Sequence, residues 1–161
     1  MSQAKGTPQL RSMLLAMKPH DLHLVPTPEL PHVWAALMEL SVGENVATLA
    51  AVADATTSMY FSTGGGIIGG DAHEPVRVAN RKFLVAVDKF VEAGAFVKEE
   101  NPLPVLKGAV SFAALTYDGM RVARDTEARL SSKTSPLWPL FALGHAVITA
   151  LRTSTGGKWP G

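Results

Sequence analysis

Cysteine is absent from this chain. That excludes disulfides, thiolate zinc sites, iron–sulfur clusters and a cysteine nucleophile. Charge is scarce as well: Asp, Glu, Lys and Arg supply 18% of the residues, against about 25% in average soluble domains. Fifteen basic residues face fourteen acidic ones, for a net charge of +1. Nothing in that balance draws the chain to a polyanion, so no nucleic acid is expected as a partner. No apolar run reaches the ~18 residues of a membrane span, and no membrane association is expected. The apolar stretch at residues 13–17 is too short for a signal core and no cleavage site follows it. A cytoplasmic protein is the simplest expectation.

What is present is ample core material. The chain has 161 residues, 47% of them hydrophobic, which suits one domain. A surface this lean in charge leaves apolar area exposed, and that favours a partner or self-association.

Residues 1–26 read as an N-terminal arm. Thr7-Pro8 has the form of a cap with proline at the first helical position. Leu10, Met13, Leu14 and Met17 follow at helical spacing, on a helix that either packs on the domain or docks on a second subunit. His20 and His23, three apart in the connector, lack an acidic or sulfur partner at metal spacing and read as loop histidines.

The single domain is expected over residues 27–153, with a tail at 154–161. Thr27-Pro28 repeats the cap signal. Leu30, Val33, Trp34, Leu37, Met38 and Leu40 then predict a helix that ends near Gly43. A first strand is expected over residues 46–54, apolar on both faces, and a second, alternating one over residues 58–63. Asp71 to Glu74 has the form of a capping box. Val76, Ala79, Phe83, Val87 and Phe90 step along one face of a long helix that stops near Gly94, with Arg77, Arg81 and Lys82 on its wet side. Residues 109–117 read as a buried strand. Asp118-Gly119 is a hairpin signal, and a polar, edge-like strand returns over residues 120–128. Ser135-Pro136 opens a last helix that is apolar nearly all round, through Leu137, Trp138, Leu140, Phe141, Val147, Ile148 and Leu151.

The order is helix, helix, strand, strand, helix, strand, strand, helix. It predicts an α+β domain with a mostly antiparallel sheet of about four to five strands flanked by helices. This order, over residues 27–153, resembles the roadblock family and, more broadly, profilin-like and longin-like domains. The resemblance implies a dimer that serves as a platform for small GTPases or motor subunits, with the central helix as a candidate dimer face. The extra N-terminal helix and proline-rich connector depart from the minimal fold. The segment from Asp54 to Gly70 also looks like one found in small uncharacterised bacterial proteins, a likeness that implies no function.

Two functional readings follow. The first is a non-enzymatic interaction domain, a homodimeric scaffold or regulator, with Val76, Phe83, Val87, Phe90, Trp138 and Phe141 as interface candidates. The second is a small-ligand or nucleotide sensor that uses Ser62, Thr63, Gly64, Gly65, Gly66, Gly69, Gly70 and His73. The glycines suit tight turns, a close protein contact or a ligand. The run matches neither phosphate-loop pattern, and Asp71 and Glu74 place negative charge where an anion would sit. His73 with Ser62 or Thr63 and Asp71 can be drawn as a triad, but no nucleophile elbow accompanies it. His145 reads as a core histidine. No catalytic constellation, cofactor or metal site is expected.

Overall fold

The computed structural model describes residues 12, 15–67, 70–101 and 104–155. The expected helical positions Leu10, Met13 and Leu14, together with Gly69 and residues 156–161, lie outside the described residues.

One seven-stranded antiparallel sheet organises the chain. Its strands are β1 (Val33–Val42), β2 (Asn45–Val52), β3 (Thr57–Phe61), β4 (Gly66–Ile67), β5 (Val97–Lys98), β6 (Ala109–Thr116) and β7 (Gly119–Thr126). They lie in the order β4-β3-β2-β1-β6-β7-β5. The α-helices placed among the described residues after the N-terminal arm are α1 (Glu74–Glu92), α2 (Glu127–Ser131) and α3 (Trp138–Thr155). The α+β class stands. The strand count and element order are corrected.

The main correction is β1. Residues 33–42 form the central strand instead of a helix, pairing with β2 on one side and β6 on the other. From Val33 to Leu40 every residue is buried. A strand covered on both faces reads as a continuous apolar run, and such a run carries helical spacings by accident. The cap signal before it is real but local. Thr27 Oγ1 accepts a hydrogen bond from the Leu30 amide at 3.0 Å, after which Pro31 intervenes and the chain extends. Gly43 takes φ of +62° to turn the β1–β2 hairpin.

The other departures are smaller. β4 and β5 are two-residue strands, too short to leave a pattern. β5 pairs with β7 through Val97↔Val122 and Lys98↔Arg121, so β7 is not the edge there. The Asp118-Gly119 hairpin forms, but Thr116 pairs with Gly119. The turn is therefore Tyr117-Asp118, and only Gly119 takes positive φ, at +101°. Asp71 belongs to a 3-10 turn, Gly70–Ala72. His73 is the cap residue of α1 and makes no side-chain capping bond.

The main core lies between one face of the sheet and the two long helices. It joins Met38, Leu49, Met59 and Phe112 of the sheet to Phe83, Leu84 and Val87 of α1 and Leu140, Val147 and Leu151 of α3. The far face carries a second cluster around Trp34, Leu37 and Leu115, against which Leu15, Met17, Leu22 and Leu24 pack. A bulge between Val33 and Ala35 puts Trp34 on that face. Asn80 of α1 is buried and ties the helix to the β2–β3 turn, donating to Thr57 Oγ1 at 2.7 Å and to the Thr56 carbonyl at 3.2 Å.

Candidate functional site

Residues 61–66 of the glycine-rich segment form a tight turn. Gly64 and Gly65 both take positive φ. The Gly64 amide donates to the Phe61 carbonyl at 2.9 Å and the Phe61 amide to the Gly65 carbonyl at 3.2 Å, which closes the turn. Gly66 then passes so near β3 that an added Cβ would stand 2.2 Å from the Met59 carbonyl oxygen. Gly70 packs under Leu151 and Val76, where a Cβ would meet Leu151 Cδ2 at 2.5 Å. Ser62 Oγ accepts from the Val46 amide at 2.7 Å. Among the described residues no hydrogen bond joins Ser62 or Thr63 to His73 or Asp71. Thr63 instead lines an apolar groove of about 630 Å³ between the sheet and α3, with Leu40, Met59, Phe61, His145, Ile148 and Arg152.

The interface candidates separate into two sets. Val76, Phe83 and Val87 have 0% exposure. They fill the chain's own core and offer no surface to a partner. Phe90, Trp138 and Phe141 are partly exposed. The outer side of α1 shows Arg77, Arg81, Lys82 and Lys89 to solvent, while the outer side of α3 shows Ala142, His145, Ala146 and Thr149. From Trp138 to Leu151 the helix holds no Asp, Glu, Lys or Arg. Phe141 and His145 meet edge to face with centroids 4.5 Å apart. Although His145 as a whole is exposed, partial burial of its ring pushes the imidazole below its usual pKa, against the opposing pull of Glu127.

A third constellation escaped the sequence reading. The start of β1 lies against the C-terminal half of α1, and there His32, Asp88 and Glu92 bring their ligand atoms within 4.8 Å of one another. Asp88 is buried at 3% exposure. Its Oδ2 accepts the amides of both His32 and Val33 at 2.8 Å. His32 Nε2 lies 3.2 Å from Glu92 Oε1. A cleft of about 330 Å³ opens beside them, bounded by Thr116, Tyr117, Asp118 and Arg121. The Tyr117 hydroxyl is pushed above its ordinary pKa by burial and by the negative charge of Asp88. One signal was available: Asp88 and Glu92 are four apart on a clearly periodic helix, so they share a face. The histidine comes from another element, and spacing gives no hint of it.

Comparison with protein-family models, curated proteins and solved structures finds no match to this chain. Among the described residues no helix is long and apolar enough to cross a membrane.

Proposed function

We propose that this chain is a non-enzymatic interaction domain that pairs with a second copy of itself through the outer side of α3. One observation carries the reading: a surface helix with no charged residue between Trp138 and Leu151. A helix apolar all round normally has cover on more than one side. Here the sheet and α1 cover only the inner side, which leaves Ala142, Ala146 and Thr149 in solvent. Small side chains at that face allow two helices to approach closely. An uncharged face can also meet its own copy about a two-fold axis with no like charges opposed.

The pair would act as a scaffold or regulator of another protein, in the manner implied by the resemblance to roadblock-type, GTPase-associated domains. The contact differs from the one that resemblance implies, because the apolar side of the central helix is spent on the core. We rank the nucleotide-sensor reading of residues 62–70 second, because Gly64 and Gly65 serve a turn and Gly66 and Gly70 pack closely against their neighbours.

Sedimentation of the purified chain at tens of micromolar tests the proposal. A dimer is expected, and Ala146→Glu should convert it to a monomer that melts as a folded protein. A strict monomer before mutation would sink the reading.

A further inference from the structure

We infer that His32, Asp88 and Glu92 bind one divalent first-row transition cation of the Zn²⁺ type. The argument begins with Asp88. Its carboxylate is withdrawn from water, and Oδ2 is committed to two backbone amides. Among the described residues Oδ1 has no hydrogen-bond donor, and no lysine or arginine pairs with the group. Burying a carboxylate without a countercharge is costly, and a cation beside it removes that cost.

The other two donors stand where such a cation would need them. Glu92 follows Asp88 by one helical turn on the same face, and His32 Nε2 already reaches Glu92 Oε1. Tetrahedral donors around zinc, at bond lengths of about 2.1 Å, sit roughly 3.4 Å apart. The present spread of up to 4.8 Å closes by side-chain rotation, because His32 and Glu92 are 45% and 69% exposed. Asp88 is the fixed member, oriented by the two amides at the head of β1, as outer-sphere partners orient ligands in metal sites.

The donor chemistry selects the ion. Imidazole favours the first-row divalent ions over Mg²⁺ and Ca²⁺, and the lack of thiolate disfavours Cu(I). Three protein ligands leave at least one position for water, and the cleft at Tyr117 and Arg121 gives it room. The inference does not depend on pairing through α3, since the cluster lies where β1 enters the sheet beside the end of α1.

The test uses the full chain freed of metal by chelation. Zn²⁺ is titrated by calorimetry, and Co²⁺ by its visible absorption, which reports coordination geometry directly. One saturable site per chain is expected. His32→Gln and Glu92→Gln should each weaken binding by about tenfold or more and dim the Co²⁺ band. Both side chains are exposed, so both variants should fold. The double variant His20→Gln, His23→Gln should bind as the parent does. Failure to saturate with either ion at millimolar concentration would overturn the inference, leaving a plain His32–Glu92 ion pair. Binding that survives His32→Gln undiminished would overturn it equally.

Discussion

A Cβ placed on Gly66 would stand 2.2 Å from the Met59 carbonyl oxygen, whereas Gly65 beside it faces open space at φ of +78°. The obstacle at Gly66 is backbone, held by the β3–β4 pairing, so it cannot swing aside. Gly65→Ala meets only the left-handed backbone cost of about 1–2 kcal/mol. Gly66→Ala must displace a strand, for about 3 kcal/mol or more. Urea melts of the two variants should separate them in that order. Asp125 supplies a second expectation. The Ser135 hydroxyl, then the Thr126 amide and Arg129, hold its carboxyl below the usual range against an opposing push from burial. A carboxylate depressed in the fold adds stability above its unfolded value, near ~3.9, and that gain vanishes as pH falls through the folded value. Asp125→Asn should therefore be less stable than the parent at pH 6, and denaturant melts at lower pH should show the gap narrowing below about pH 4.

Among the elements, the span and faces of α1 were legible, because a helix with one wet side leaves a single unambiguous period, but its cap was not. The strands β2 and β6 were legible as apolar runs beside turn residues, β3 from its alternation, and β7 from the hairpin signal and its polar character. β1 was not. Its sequence, VWAALMEL over residues 33–40, is rich in helix-forming Leu, Ala, Met and Glu, and burial on both faces erased the alternation that marks a strand. Pairing on both flanks outweighed that propensity. The candidate sites fared less well than the fold. The apolar surround of α3 was visible, but which side stays wet depends on packing. His32 meets Asp88 and Glu92 only because β1 enters the sheet beside the end of α1. On α3, His145 favours its neutral form. A histidine depressed in the fold contributes nothing unfavourable above its unfolded value, near ~6.5, and costs stability as pH falls below it. Thermal melts should therefore show the parent losing stability as pH falls below about 6.5, and His145→Gln losing less.

For the whole molecule, the proposed α3 contact ties oligomeric state to one uncharged surface. Among the described residues the other large exposed apolar side chains, Val25, Val42, Val78, Val97 and Leu106, are scattered over other elements and form no comparable stripe. Concentration-dependent sedimentation should thus give a single monomer–dimer step, with no larger species. Ala146→Glu should remove that step, whereas Val97→Glu should leave it intact.

The order of strands has a consequence for how the chain reaches this state. Every neighbouring pair from β1 to β4 closes through a short turn, and so does β6 with β7. The seam between β1 and β6 joins Val33 to Thr116 and Leu40 to Val110, residues far apart along the chain. Local pairings nucleate quickly, but a distant one must first bear the entropy of loop closure. We predict that joining the two half-sheets is the step that governs the folding rate. Pulse-labelled amide exchange should find the amides that bond within the β2–β3 and β6–β7 hairpins protected before those that bond across the β1–β6 seam, and simultaneous protection of both sets would contradict that order.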